Sequence, residues 1–318
     1  MMTRREALTA MAAICSTALP SRRLRAGQTP ASRDGRIRLA CGRWLSYREH
    51  GLPDKPPVFY FHGTPGSRLE AALCESEACL SEIRLISVDR PGLGRSSYSG
   101  SRRILDWPND VDELASALGY ADQRFGIVGF SGGAPYAAAC AWAMPHRLTH
   151  MAIVSGHTPM NAPGVCPGSD DKLIRLISRR PRVSTRALRL LARRLDRRPD
   201  KVIAKVTKKW AAPDRKLMLC NPRRYRDLIA DLREAVRCGP AGLVEDVRLL
   251  RCPWGFALSD IQGVPVSIWQ GGCDPIVTPS MGHYFHKQIA DSELTIDPRA
   301  GHVTMLKWHI KKILSRFV

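Results

Sequence analysis

Ser131, Asp274 and His302 are the three side chains whose types and settings could together carry out nucleophilic catalysis. Ser131 sits in Gly129-Phe130-Ser131-Gly132-Gly133, after the run Arg124-Phe125-Gly126-Ile127-Val128 and before the Ala-rich stretch Ala134-Pro135-Tyr136-Ala137-Ala138-Ala139. The pattern reads as a short buried strand, a sharp turn with serine at its apex, and a helix, an arrangement that lifts a hydroxyl clear of the backbone. Gly129 and Gly133 fall where any Cβ would press on the neighbouring strand and helix. A serine hydroxyl attacks a carbonyl only when a base takes its proton. His302, in Ala300-Gly301-His302, follows the last strand-like run and opens the last helical pattern. His62, His157 and His283 compete for that role, but His62 belongs to a separate motif and the other two lack so clear a strand-end setting.

An imidazole base needs a carboxylate to fix its tautomer and to stabilise the imidazolium. Asp274, in Gln270-Gly271-Gly272-Cys273-Asp274-Pro275, follows the apolar run Val266-Ser267-Ile268-Trp269 and so falls at the strand edge where open α/β sheets collect their sites. An aspartate before proline is also an ordinary turn former. A tetrahedral intermediate further needs donors aimed at its oxyanion. The backbone N–H of Gly132, next to the serine, and that of Thr64, in the loop His62-Gly63-Thr64-Pro65-Gly66-Ser67, are the expected pair.

The elements that must position these groups alternate between short apolar strands and helices. Paired strands are expected between Ile37 and Glu49, then buried strands at Val58–Phe61, Arg84–Val88, Phe125–Val128, Met151–Val154, Val266–Trp269 and Leu294–Ile296. Helices are expected from the His62–Ser67 loop through Cys79, over Asn109–Leu118, after Ser131, after Pro279 and over Val303–Phe317. Such alternation predicts an α/β fold with a mostly parallel sheet covered on both faces. The rhythm stops near His157 and resumes near Val264. The intervening periods are helical, with Leu188, Leu191, Ala192 and Leu195 on one face, so residues 157–256 are expected to form an inserted helical lid on a core of 34–156 and 257–318.

Composition narrows the function classes. A chain of 318 residues can bury one large core, and no apolar run approaches the roughly 18 to 20 residues of a membrane span. Its net charge is +20, and about 16 of that excess lies between Lys172 and Arg251. A basic insertion on a near-neutral body, without basic–aromatic alternation, argues against specific nucleic-acid binding. Ten cysteines show neither C-x-x-C spacing nor a Cys/His cluster of zinc type, and free thiols in a reducing, cytoplasmic setting are the expectation. The alternative is export, because Thr3-Arg4-Arg5-Glu6-Ala7-Leu8 resembles a twin-arginine signal within residues 1–26; residues 1–33 are set aside as a leader or loose tail.

Five ordered motifs carry a resemblance. His62-Gly63-Thr64-Pro65-Gly66, Asp89-Arg90-Pro91-Gly92-Leu93-Gly94-Arg95-Ser96, Gly129-Phe130-Ser131-Gly132-Gly133, Gly272-Cys273-Asp274 and Gly301-His302 resemble the α/β-hydrolase fold superfamily over about residues 37–318. The resemblance implies acyl transfer to water through an acyl-enzyme, with no metal or organic cofactor. Relatives that open epoxides or remove halide carry aspartate at the nucleophile position, which is Ser131 here. Proline iminopeptidases share the H-G-x-P-G loop but usually have a second glycine where Thr64 stands, and tryptophan in the stretch occupied here by Gly133 and Ala134. A small-molecule carboxylic ester is therefore the expected substrate. An aminopeptidase, amidase or C–C bond hydrolase of the same fold, or a non-catalytic ligand-binding relative, are the alternatives.

Two further expectations concern surfaces. His62, Trp107, Trp254 and Phe256 are candidates to line a substrate pocket, the aromatic ones standing against the simpler reading of core packing. The basic lid is read first as a solvated face, and second as a contact with an anionic substrate or an acidic membrane surface.

Overall fold

The computed structural model describes residues 32–75, 78 and 82–318. The leader and export-signal readings lie outside the described residues, apart from positions 32 and 33. Eight strands form one sheet in the order β1-β2-β4-β3-β5-β6-β7-β8. β1 (Arg33–Arg38), β2 (Trp44–Gly51) and β4 (Arg84–Val88) pair antiparallel at one edge, whereas β3 (Pro57–Phe61), β5 (Phe125–Phe130), β6 (Leu148–Val154), β7 (Val266–Gly271) and β8 (Ser292–Asp297) continue from β4 in parallel. The first strand starts at Arg33, four residues before the expected Ile37, since its exposed, charged residues carry no apolar signal.

The period of two along each strand divides the core into two layers. From β3, Phe59 and Phe61 enter one layer with Ile127, Trp107, Val111, Leu114 and Phe285; Val58 and Tyr60 enter the other with Val128, Phe130, Trp269, Leu306 and Ile310. The first layer is roofed by α1 (Trp107–Ala117), α2 (Ala134–Ala143) and α9 (Pro279–Gln288), and the second by α10 (His302–Leu314). Helix α1 starts two residues ahead of the expected Asn109 because Pro108 is tolerated in a helix's first turn. Between the oxyanion-loop residues and β4 the expected helix is a 3-10 turn, Arg68–Leu73, capped by the Ser67 hydroxyl; Cys79 lies outside the described residues.

The insertion between β6 and β7 consists of α3 (Asp171–Arg179), α4 (Pro181–Arg197), α5 (Pro199–Val206), α6 (Ala212–Leu219), α7 (Pro222–Ala235) and α8 (Ala241–Arg251). Its own apolar contacts are two small clusters. One joins Leu93 of the body to Ile174, Ile177, Leu243, Val244, Val247 and Leu250; the other joins Leu195, Val202, Ile203 and Ile229.

Polar contacts tie this layer to the body. Asp214, Asp231, Glu234 and Asp246 are all buried. Asp214 on α6 accepts the N–H groups of His302, Val303 and Thr304 at 2.7, 3.1 and 2.8 Å, capping α10. On α7, Asp231 accepts the N–H and hydroxyl of Ser67, while Glu234 pairs with Arg68 at 2.7 Å. Asp246 on α8 receives Arg90, Arg102, the Tyr136 hydroxyl and the Thr64 hydroxyl, all within 3.0 Å. Burial opposes charge on Asp246, but the two guanidinium groups hold its carboxyl well below the usual carboxylate range.

Removing this carboxylate would leave two buried arginines facing each other without compensation. Asp246→Ala is expected to lower the free energy of unfolding by about 3 to 5 kcal/mol, measured by urea denaturation; a loss below ~1 kcal/mol would contradict the role given to this residue.

Candidate active site

Ser131 ends β5 and begins the turn into α2, with a φ of +52°. For a residue bearing a Cβ, that left-handed conformation costs about 1 to 2 kcal/mol, which the surrounding contacts must offset. The turn is tight because the helix lies against the sheet: a Cβ on Gly133 would come within 2.1 Å of the Phe61 carbonyl oxygen, and one on Gly129 within 2.7 Å of the Ala137 Cβ. On the other side, a Cβ on Gly132 would lie 2.3 Å from Thr64 Oγ1 and 3.1 Å from Thr64 N. Gly132 and the backbone of Thr64 are thus close neighbours. As the second residue of its helical turn, Gly132 has an N–H without an intrahelical acceptor.

Asp274 and His302 are brought together. Asp274 sits in the loop after β7 and His302 opens α10 after β8, and the His302 Nδ1 donates to Asp274 Oδ2 at 2.7 Å. The other oxygen of Asp274 accepts the N–H groups of Ile276 and Val277 at 2.9 and 3.0 Å, so the carboxylate cannot rotate away. Both residues are buried. Burial works against a charged imidazole, but Asp274 at hydrogen-bond distance, aided by Asp214, raises the His302 pKa above its ordinary value. The His302 ring lies 5.0 Å from that of Phe130, the residue before the serine, and its carbonyl accepts the hydroxyl of Ser155, the residue after β6. Ser131, Asp274 and His302 therefore follow the carboxyl ends of β5, β7 and β8, three parallel strands of one sheet with β6 between the first two. Among the described residues Ser131 Oγ makes no hydrogen bond to His302; such contacts often tighten only with substrate in place.

The competing histidines are engaged elsewhere. His62 Nδ1 lies 2.8 Å from the Gly63 carbonyl and its Nε2 accepts the Arg90 N–H, which assigns the proton to Nδ1. Burial and Arg90 push its pKa well below the ordinary value, so it is a neutral strut of the loop and not a pocket residue as expected. His157 donates its backbone N–H to the Ser131 carbonyl at 3.1 Å, and its ring faces Asp170 at 3.7 Å. His283 is exposed on α9.

The remaining pocket expectations are also corrected. Trp107 packs edge-on against Phe61 and Tyr136, and Trp254 stacks near Phe285, both inside the sheet's first layer. Phe256 lies partly buried against Trp142 and Trp254. Each ring buries a large apolar area by packing against its aromatic neighbours. A cavity of about 380 Å³ lies between Arg102–Ile104 and α8, and it contains none of Ser131, Asp274 or His302. Among the described residues no group of His, Cys, Asp and Glu is arranged to hold a metal ion.

Arg90, which the sequence places only within a motif, and Glu70, which it does not single out, both act at the site. Arg90 donates to the carbonyls of His62 and Gly63 and to Thr64 Oγ1, while Thr64 Oγ1 donates to Asp246 at 2.6 Å. The loop backbone is thereby fixed with the Thr64 N–H beside Gly132. Glu70 takes the Gly63 N–H at 2.9 Å and the Tyr60 hydroxyl at 2.8 Å through one oxygen. Its other oxygen and the Ser131 Cβ lie 3.1 and 3.3 Å from the same point, the position of a Cβ on Gly63. A carboxyl group thus stands beside the serine. Burial pushes it up to about 7, against the pull of the Gly63 N–H, Tyr60 and Arg90, and buried Asp231 is raised as well.

With the geometry in place, comparison with known proteins gives the class. The profile of the alpha/beta hydrolase family matches residues 49–309, and the chain belongs to that family. Solved structures similar to it include an esterase from Exiguobacterium antarcticum (17% identity, TM-score 0.62, covering 88% of this chain and 96% of that one). A thermophilic esterase from Thermogutta terrifontis (19%, TM-score 0.63, 89% and 96%) and the enol-lactonase from Burkholderia xenovorans (16%, TM-score 0.64, 89% and 97%) are also similar. At these identities the likeness is one of fold. Comparison with curated proteins finds no match.

Glu70 makes stability depend on pH with a definite sign. A carboxyl whose folded pKa is raised from 4.5 to about 7 keeps its proton in the fold, so its contribution is fully present below pH 4.5 and is lost as pH rises through 7. Glu70→Gln, which cannot ionise, is expected to gain stability relative to the parent between pH 5 and pH 8, as read from urea midpoints at each pH. An unchanged difference would show that Glu70 is ionised at both.

Proposed function

We propose that the protein hydrolyses small-molecule carboxylic esters through an acyl-enzyme on Ser131. The observation that carries this reading is the buried Asp274–His302 pair, joined at 2.7 Å, at the same sheet edge as a serine held at positive φ. Asp274 keeps the Nδ1 proton in place, which leaves Nε2 as the base. Nε2 takes the proton of Ser131 Oγ as the oxygen bonds to the ester carbonyl carbon. Negative charge then develops on the carbonyl oxygen, where the N–H groups of Gly132 and Thr64 receive it. Collapse expels the alcohol, protonated by His302, and water attacks the acyl-enzyme by the reverse sequence to release the acid and free the serine.

The acid beside the serine bears on which esters suit the site. An ionised Glu70 would oppose the charge of the tetrahedral intermediate, while a protonated one leaves it unopposed. The raised pKa of Glu70 favours the protonated form below neutrality. His302 works in the other direction, since only its neutral form accepts the serine proton and its pKa is raised.

A fluorophosphonate probe followed by a panel of aryl and alkyl esters tests the reading. Ser131→Ala is expected to abolish labelling and to lower kcat by about 10⁴-fold or more. Labelling that survives the substitution, or equal turnover by both proteins, would overturn it. For the parent protein, kcat/KM is expected to fall on acidification with a midpoint above the ordinary histidine value of about 6.5. A midpoint below that value would remove the role given to the Asp274 contact.

A further inference from the structure

We propose that the outer face of lid helix α4 is a docking surface for a bilayer rich in anionic phospholipid. Independent of the catalytic reading, the inference rests on an arrangement along Pro181–Arg197. The helix has two apolar stripes. One, formed by Leu188, Leu191 and Leu195, turns inward and joins the small clusters of the lid. The other, Val183, Ala187 and Leu190, is exposed; Val183 and Leu190 are 59% and 56% accessible. Positions 183, 187 and 190 are spaced by four and three residues, so they form one continuous strip along the helix.

Arginines border that strip. Arg182, Arg186, Arg189, Arg193 and Arg194 are exposed, and among the described residues none of them forms an ion pair. The absence of partners has a structural origin. Of the ten acids between residues 157 and 256, Asp214, Asp231, Glu234 and Asp246 are buried against the body, while Asp171, Asp196, Asp227 and Glu245 pair with Arg175, Arg233, Arg223 and Arg248. Four of these acids thus face inward, and the paired ones are taken by arginines other than those of the strip. An exposed apolar strip with unpaired arginines along one side and Arg194 at its end matches a headgroup interface: aliphatic side chains enter the acyl boundary while the long guanidinium stems reach up to phosphate. A soluble polyanion would engage the arginines but leave Val183 and Leu190 without a role. That difference is why a bilayer is the occupant argued here.

Vesicle co-sedimentation of the full chain provides the test, with equimolar phosphatidylglycerol and phosphatidylcholine against pure phosphatidylcholine in ~0.1 M salt. Binding is expected to the anionic vesicles, at least about tenfold tighter than to the zwitterionic ones. Val183→Ser with Leu190→Ser is expected to weaken it by about tenfold, and Arg186→Gln with Arg189→Gln and Arg193→Gln by about 100-fold. Both sets of changes lie on the solvent face, so far-UV circular dichroism should stay as in the parent. Equal binding to both vesicles, or no binding to either, overturns the proposal. So does anionic-vesicle binding that survives the serine substitutions, or that heparin binding matches in strength and in its indifference to them; either would show charge attraction alone.

Discussion

The carboxylate of Asp246 is the contact on which the site's geometry rests. It comes from the inserted layer, is wholly buried, and holds four donors from three different parts of the body: Thr64, two arginines and Tyr136. Its strength comes from low dielectric and complete pairing together, since a buried ion without its partners would be strongly destabilising. Both of its oxygens receive Arg90, which in turn holds the carbonyls of His62 and Gly63. The chain of contacts ends at the Thr64 backbone beside Gly132. The position of the Thr64 backbone against Gly132 is therefore a tertiary property of insertion and body, with the loop sequence alone insufficient to fix it.

The same logic explains the unusual charge of the lid. Four of its acids face the body, at the start of α10, at Ser67, at Arg68 and at Arg90. Each satisfies backbone or guanidinium donors that would otherwise be buried unpaired. The exposed arginines of α4 are left without ion-pair partners among the described residues. Net charge in this segment is thus the visible remainder of a segregated distribution, and not a uniform coat.

Much of the body was legible in sequence. Val58–Phe61 and Phe125–Phe130 are short, apolar and bounded by turn residues, and both are central parallel strands. The serine turn was readable because a strand, a glycine-flanked serine and an Ala-rich helix follow one another directly in the chain. Trp107 and Trp254 misled because an aromatic side chain near a loop has the same sequence signature whether it faces a ligand or a core. Asp214, Asp231, Asp246 and Glu70 were silent for another reason. The lid acids meet partners between about 90 and 180 positions distant in the chain, and an acid on an amphipathic helix looks solvated until the opposing layer is known. Glu70 is local, seven residues from Gly63, but its burial depends on Tyr60 and on α7 above it.

The cap that Asp214 places on α10 has a consequence for modular exchange. Because the first three N–H groups of the histidine's own helix are received by an insertion residue, this insertion is not a detachable accessory. A transplanted insertion would have to supply acids at each of those points. Recombination between such proteins would have to cut so that α6, α7 and α8 travel with Ser67, Arg68, Arg90 and the final helix as one heritable block.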